Sequence, residues 1–166
     1  HTPPGGRTPG SIAATGMFGR YRIIRKLGEG GMGVVYAARD ETLDRDVAIK
    51  MIQGSPDEQS RERLRREARA AAGVNHPNVV QVYEIGEQSG EMFIAMEMLE
   101  GGPLDEKLLA GPIPMRETLD IITGVLAALE ALHARGIIHR DLKPSNVFLT
   151  PHGVKILDFG LARSSL

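Results

Sequence analysis

Residues 139–146 read His-Arg-Asp-Leu-Lys-Pro-Ser-Asn, and residues 158–160, which begin twelve positions after Asn146, read Asp-Phe-Gly. Transfer of the terminal phosphoryl group of ATP requires a carboxylate that orients the attacking hydroxyl group, oxygen ligands for Mg²⁺ and fixed positive charge near the phosphates. The two stretches contain all of these group types: Asp141, Lys143, Asn146 and Asp158. The pattern therefore predicts a site for phosphoryl transfer.

The two stretches resemble the catalytic loop and the metal-binding turn of eukaryotic-like protein kinases, and the resemblance extends over about residues 20–163. The Lys at position 143, two positions after Asp141, resembles the pattern of serine/threonine kinases, whereas tyrosine kinases usually carry Ala there. Residues 19–40 look most like the bacterial branch of that family. The resemblance implies a two-lobed α+β fold, ATP and Mg²⁺ as cofactors, and proteins with Ser or Thr hydroxyl groups as substrates.

The composition is that of an ordinary globular chain, because 42% of the 166 residues are hydrophobic and 25% are charged. The formal net charge of -1 gives no global field that would attract nucleic acid or an anionic membrane. The absence of Cys excludes disulfide bonds and thiolate chemistry. No stretch of the sequence reaches the roughly 20 apolar residues of a membrane-spanning helix. We expect a cytoplasmic domain that binds no nucleic acid, and homodimerisation stays open.

The chain begins with His rather than Met and stops soon after Asp-Phe-Gly, so we expect a fragment of a longer protein. Residues 1–16 are rich in Pro and Gly and poor in large apolar side chains, so we expect a flexible leader. Kinases of this type continue well beyond Asp-Phe-Gly into helices that complete the large lobe, and many bacterial relatives continue into a membrane span. We therefore expect that the chain alone transfers little or no phosphate, and that a long helix around residues 119–133 lacks apolar cover.

Hydrophobic patterning divides the rest of the chain into two lobes. Three β-rich runs within residues 20–52 predict an antiparallel meander, and two further runs near residues 79–85 and 91–98 complete a five-stranded sheet. With one helix, this sheet forms a small lobe over residues 17–100, which includes the start of the hinge. Residues 101–166 predict a partial, mainly helical large lobe.

The helix of the small lobe has a recognisable start. Ser55 is the predicted N-cap, and Glu58 three residues later completes a capping box. The helix is predicted to run to about Gly73, with an apolar face that comprises Leu64, Ala68 and Ala71.

Lys50 ends the run Val-Ala-Ile-Lys, in which strand alternation places Ala48 and Lys50 on one face. The resemblance implies that Lys50 holds the α- and β-phosphates of ATP, and an exposed Lys at a strand end is the alternative. Glu67 lies about 60° around the helix from the apolar Leu64, and a carboxylate beside a buried stripe requires a buried cation. We predict that Glu67 pairs with Lys50, and an exposed pair with Arg63 is the alternative.

Residues 28–35 read Gly-Glu-Gly-Gly-Met-Gly-Val-Val between two predicted strands. Because Gly has no Cβ, backbone N–H groups of this stretch can approach phosphates. A Gly-rich hairpin turn without a ligand is the alternative, whereas a dinucleotide-binding motif would open a helix. The resemblance implies a nucleotide site formed by Leu27, Gly28, Glu29, Gly30, Gly31, Met32, Gly33, Val35, Ala48, Lys50, Met96, Glu97, Leu99 and Phe148.

Within that set, the resemblance implies that Met96 gates the pocket behind the adenine, and that main-chain groups of Glu97 and Leu99 face the adenine edge. Four apolar side chains enclose the ring, although simple core packing is the alternative for all of them. Pro103 departs from the family pattern, because relatives often carry a ribose-contacting polar residue there. The four side chains that the resemblance places around the ring are Leu27, Val35, Ala48 and Phe148.

The resemblance also assigns a role to each polar residue of the opening stretches. Asp141 orients the substrate hydroxyl group and accepts its proton, and Lys143 stabilises the transferred phosphoryl group. Asn146 and Asp158 hold Mg²⁺, while His139 is interpreted as a packing residue. A pseudokinase or regulatory nucleotide-binding module would lack at least one of Lys50, Asp141 and Asp158, and all three are present. A purely structural role explains none of the motifs.

Overall fold

The computed structural model describes residues 16–30, 33–52 and 57–157. An antiparallel sheet with one helix comes first, and a helical region with a second, smaller sheet follows. Within the described residues the strands are β1 Met17–Phe18, β2 Tyr21–Gly30, β3 Gly33–Asp40, β4 Arg45–Ile52, β5 Val82–Gln88, β6 Glu91–Glu97, β7 Gly102–Pro103, β8 Val147–Thr150 and β9 Gly153–Ile156. The helices are α1 Glu58–Ala72, α2 Leu104–Leu109 and α3 Met115–His133, and a short 3-10 helix covers Pro144–Asn146.

The larger sheet contains six of the described strands, in the order β1-β2-β3-β4-β6-β5 with every neighbouring pair antiparallel. The prediction of five strands was therefore one short. The additional strand is β1, which pairs with β2 because Gly19, at a φ of 60°, turns the chain back. The sequence Gln88-Ser89-Gly90 predicts a turn between the last two strands of this sheet. The turn is confirmed, since Ser89 and Gly90 both have positive φ, as a type I′ hairpin turn requires.

The larger sheet curls so that its distant strands meet. The Tyr21 hydroxyl on β2 donates to Glu84 on β5 at 2.6 Å, although these strands are not neighbours in the sheet. The Phe93 ring centroid lies 4.9 Å from that of Phe18 and 5.9 Å from that of Tyr21, in edge-to-face contacts. One face of the sheet therefore forms its own apolar core.

The N-cap of helix α1 lies two residues later than the prediction. Asp57 is its N-cap, because the Asp57 carboxylate accepts the backbone N–H of Ser60 at 2.7 Å, and this bond lowers the pKa of Asp57. The predicted cap Ser55 lies outside the described residues and was the wrong choice. The helix ends before Gly73, as predicted, and its buried residues are Leu64, Ala68 and Ala71.

The second region holds a small sheet of β7, β8 and β9 that the sequence did not predict. Strand β9 also joins the two lobes. The backbone N–H of Ile156 donates to the Asn78 carbonyl at 2.8 Å, and the Val80 N–H donates to the Ile156 carbonyl at 3.1 Å. The Asn78 side-chain amide donates to the Val154 carbonyl at 2.9 Å. This contact explains why β5 begins at Val82 rather than near residue 79, because the residues before it pair with β9 instead.

Helix α3 confirms the predicted long helix. Its buried positions are Ile121, Ala128 and Leu132. The recurrence of Leu119, Ile122, Leu126, Leu129 and His133 at three- and four-residue steps predicts an apolar stripe on this helix. The stripe lies largely on another face, where Leu119, Ile122 and Leu126 are exposed. None of the helices in the described part of the chain is long and apolar enough to cross a membrane.

Candidate nucleotide and phosphoryl-transfer site

The Gly-rich stretch forms the end of the β2–β3 hairpin. In the register of this hairpin, Gly28 lies opposite Val35 and Gly30 lies opposite Gly33. A Cβ atom on Gly28 would meet no heavy atom within 4 Å, so the backbone here borders open space. Gly33 has a φ of 134°, which residues with a side chain rarely adopt. Of the other predicted contacts in this stretch, Leu27 and Glu29 are exposed on β2, and Gly31 and Met32 lie outside the described residues.

Four of the predicted nucleotide contacts share one face of the larger sheet. Val35 lies opposite Lys50, and Met96 lies opposite Ala48. Because directly opposite residues of antiparallel strands share a face, this arrangement places all four side chains together. Lys50 is only 7% exposed, and a buried ammonium group requires an anionic partner. The predicted alternation of β4 is confirmed, since the other face holds the core residues Val47, Ile49 and Met51.

Glu67 is half-buried on α1, and its pKa reflects the surrounding groups. Burial raises the pKa of Glu67, while the positive charges of Arg63, Arg140 and Arg66 act in the opposite direction. Arg140 belongs to the catalytic loop, so the charge on α1 is coupled to that loop. Arg63 is the cation of the alternative interpretation. The pair between Lys50 and Glu67 stays a prediction.

The structure brings Asp141, Lys143 and Asn146 together. The Asn146 side-chain amide donates to the Asp141 carbonyl at 2.8 Å and lies 3.4 Å from Asp141 Oδ2. The Lys143 ammonium lies 3.5 Å from the same carboxylate oxygen. Asn146 is buried, whereas the side chains of Asp141 and Lys143 are 29% and 51% exposed. The buried amide therefore anchors the loop, and the carboxylate and the ammonium are presented to solvent.

Asn146 also has a chemistry that suits Mg²⁺. Because Nδ2 donates within the loop, Oδ1 is the side-chain atom that can coordinate a cation. The Asn146 carbonyl accepts the N–H of Leu157 at 2.9 Å, and Leu157 directly precedes Asp158, the second predicted ligand, which lies outside the described residues. Amide and carboxylate oxygens are hard donors, so these residue types fit Mg²⁺. Among the described residues, no three His, Cys, Asp or Glu side chains cluster as a metal site.

His139 does more than the predicted packing. Its ring is buried, and Nδ1 accepts the Asp141 backbone N–H at 3.1 Å. The proton of a neutral ring then lies on Nε2, which donates to the Leu157 carbonyl at 2.7 Å. Arg140, between these residues, has a positive φ of 67°. The imidazole thus ties the catalytic loop to the residue before Asp158. The signal in the sequence was His139, whose ring nitrogen can accept a hydrogen bond, two positions before Asp141.

The predicted hinge lies between β6 and β7. The Glu97 backbone N–H donates to the Gln81 carbonyl at 2.9 Å, and the half-buried Leu99 packs against the core that joins the lobes. Phe148 on β8 lies opposite Pro103 on β7. Phe148, which is predicted to contact the adenine, therefore lies on β8, next to the strand β7 that follows the hinge.

Sequence reasoning missed Lys155, whose ammonium forms an ion pair with the Glu97 carboxylate. Lys155 lies on β9, three residues before Asp158. The signal was a lone charge in the alternating run Val-Lys-Ile-Leu, but its partner is distant in sequence.

Comparison with known proteins agrees with this geometry. The family model for the protein kinase domain matches residues 21–165. A probable serine/threonine-protein kinase of Bifidobacterium longum is 45% identical over 154 residues, which cover 89% of this chain and 20% of that protein. The serine/threonine-protein kinase PrkC of Bacillus subtilis is 42% identical over 148 residues, with coverages of 87% and 23%. The chain thus spans about a fifth of the length of these curated relatives.

A solved structure gives the same result for the fold. The crystal structure of the Mycobacterium tuberculosis PknI kinase domain matches with a TM-score of 0.85 and 33% sequence identity. The match covers 92% of this chain and 63% of that one. Since the family model spans most of the sequence and the fold agrees, the chain belongs to the protein kinase domain family.

Proposed function

We propose that this chain supplies the ATP-binding and phosphoryl-transfer residues of a serine/threonine protein kinase, which moves the γ-phosphoryl group of ATP to Ser or Thr hydroxyl groups of proteins. The observation that carries this proposal is the contact between Asp141, Lys143 and Asn146 in one loop. Both curated relatives described above are named as serine/threonine kinases, which supports the choice of acceptor.

In this proposal, the nucleotide lies between the shared face of the larger sheet and the β8 strand. Ala48 and Val35 contact one side of the adenine, Phe148 contacts the other, and main-chain groups of Glu97 and Leu99 bind its edge. Support comes from the register, which places Val35 and Ala48 on one face and Phe148 beside the strand after the hinge. The phosphates then extend towards the Gly-rich hairpin and Lys50, as phosphoryl transfer requires.

The transfer step depends on position and charge. Asp141 accepts a hydrogen bond from the substrate hydroxyl group and so aligns its oxygen with the γ-phosphorus. Lys143, 3.5 Å from Asp141 Oδ2, neutralises negative charge on the phosphoryl group as it moves. Asn146 and Asp158 hold Mg²⁺, which when bound neutralises the phosphate oxygens. Because cells keep ATP in the cytoplasm, we place the domain there. Homodimerisation stays a prediction.

Nucleotide binding is tested by thermal unfolding of the 166-residue chain with and without Mg·ATP. A ligand at a hundredfold excess over its dissociation constant stabilises by about 2.7 kcal/mol, which is worth roughly 5–10 °C in Tm for a chain of this size. The variant Lys50→Met is expected to lose most of this shift. A shift of equal size in the variant would contradict the role of Lys50.

Transfer is tested separately, with radioactive ATP and a Ser/Thr peptide, in the full-length protein. We expect Asp141→Asn to lower the rate by about 100-fold or more. The matched control is Asp120→Asn, which changes an exposed carboxylate on α3 and is expected to keep the rate. A nucleotide-dependent shift without transfer in the unaltered protein would favour the second candidate, a nucleotide-binding module that regulates other proteins.

A further inference from the structure

A Lys and a Glu from different sheets meet behind the hinge. Glu97 is the last residue of β6 in the larger sheet, and Lys155 lies on β9 in the smaller sheet. The Lys155 ammonium forms an ion pair with Glu97 Oε1, and their side chains are only 21% and 20% exposed. The pair therefore crosses from one lobe to the other and is largely shielded from solvent.

The charge of the Glu97 carboxylate is balanced mainly by Lys155. Glu97 Oε1 is buried and accepts no hydrogen bond within the described part of the chain, so the ammonium of Lys155 is what balances this oxygen. A shielded pair is screened less by salt than a surface pair. Removal of one partner leaves the other charge buried without compensation, which is strongly unfavourable.

The position of the pair connects it to the nucleotide site. Lys155 lies opposite Phe148 in the β8–β9 register, so both side chains are on the face where the adenine is proposed to bind. Glu97 is fixed through its main chain as well, because its N–H donates to the Gln81 carbonyl at 2.9 Å. Glu97 is thus held on its backbone side by Gln81, the residue before β5, and on its side-chain side by Lys155 of β9.

We propose that the Glu97–Lys155 ion pair is a positioning device that sets the hinge main chain relative to β9. Both side chains act through the backbone and need not contact the nucleotide. Because β9 leads directly to Asp158, the pair couples the adenine edge of the site to the strand before the predicted metal ligand. The effect on ATP affinity rests on the proposed function, whereas the effect on the hinge does not.

The test uses two single variants and their combination. Glu97→Gln and Lys155→Met each remove one charge, and the double variant Glu97→Lys with Lys155→Glu restores the pair with reversed signs. The matched control is Lys107→Met, which breaks the more exposed pair between Lys107 and Glu117 on α2 and α3. Two readouts are taken on the 166-residue chain: hydrogen exchange of the amides of residues 98–102 without nucleotide, and the dissociation constant of Mg·ATP.

Each single variant is expected to speed hinge exchange by about tenfold, because the charge that is left without its partner no longer holds the hinge main chain against β9. The reversed pair is expected to recover most of the protection, and the control is expected to leave it unchanged. A merely stabilising role would raise exchange throughout both sheets instead of at the hinge. That result, or a reversed pair as fast as the single variants, would overturn the proposal.

The affinity readout separates this inference from the proposed function. Weaker Mg·ATP binding in the single variants, recovered in the reversed pair, extends the positioning role to the nucleotide. Unchanged affinity alongside faster hinge exchange would limit the pair to the hinge and overturn its link to adenine binding. If the unaltered chain binds no nucleotide, the proposed function fails for this chain, and hydrogen exchange still decides whether the pair holds the hinge.

Discussion

Replacement of Gly101 with Ala tests how tightly the segment after the hinge packs against β8. Gly101 has a φ of 124°, and a Cβ atom there would lie 1.9 Å from the carbonyl oxygen of Leu149. A backbone oxygen cannot rotate away as a side chain can, so the segment itself must move. Gly111 provides a matched control, because its φ is 129° while a Cβ atom there would meet no heavy atom within 4 Å.

The two substitutions share one cost and differ in another. An Ala in this backbone conformation costs about 1–3 kcal/mol at either position. Overpacking against a fixed neighbour adds a further cost of about 1–3 kcal/mol, which applies to Gly101→Ala alone. For a chain of this size, about 2 kcal/mol of extra cost lowers Tm by roughly 4–8 °C. Gly101→Ala is therefore expected to unfold below Gly111→Ala by that margin.

The assay is thermal unfolding of both variants, followed by circular dichroism, with and without Mg·ATP. Because Gly101 directly precedes β7, its substitution is also expected to reduce the nucleotide-dependent increase in Tm, while Gly111→Ala retains that increase. Equal values of Tm for the two variants would refute the reasoning, since they would show that the hinge segment can move away from β8 without cost.

Three further predictions concern titratable groups. Asp57→Ala removes the cap bond to Ser60 and is expected to lower Tm at neutral pH. Because the pKa of Asp57 is lowered in the folded state, the difference from the unaltered chain should vanish as pH falls below the ordinary value of 3.8, which an acid titration of Tm checks. Tyr21→Phe removes one hydrogen bond to Glu84, which keeps its ion pair with Arg20, and should lower the free energy of unfolding by about 1 kcal/mol, measured by urea unfolding. Burial and the bond to Glu84 raise the pKa of Tyr21 from 10.0 to about 12, so stability should be lost as pH rises through that interval, and not in the variant. Burial raises the pKa of Glu67 in the folded state. Its contribution to the free energy of unfolding is therefore present below the ordinary pKa of 4.5 and is lost as pH rises. Glu67→Gln should remove that loss, which a series of Tm values at different pH checks.

Short-range patterns explain what the sequence predicted well. The strand β4 alternates with a period of two, so the placement of Ala48 and Lys50 on one face followed from their spacing alone. The buried face of α1 followed from helical periodicity in the same way. The cap of α1 failed because Ser55 and Asp57 are both good N-caps two residues apart, and local pattern cannot rank them.

The errors in strand assignment have a common physical cause, which is that these short segments are defined as strands by their pairing partners rather than by their own sequence. β1 has only two residues and is recognisable as a strand only through its contact with β2. Strands β8 and β9 have four residues each, too few for periodicity to separate them from loops. Residues 79–80 are apolar enough for a strand, and whether they pair with β6 or β9 depends on tertiary structure.

Strand β9 links the parts of the site that sequence reasoning treated separately. Its backbone at Ile156 pairs with the segment between α1 and β5, and its Lys155 side chain reaches the hinge at Glu97. The next residue, Leu157, accepts from His139 and donates to the carbonyl of Asn146 in the catalytic loop. Each contact is made by a different group, so they can be broken one at a time. We expect that β9 sets the position of Asp158, which follows it in the chain. Substitutions at Lys155 and at His139 should then both weaken Mg²⁺-dependent nucleotide binding, although these two residues lie at opposite ends of the site. Effects confined to Lys155 would show that the hinge and the catalytic loop are positioned independently.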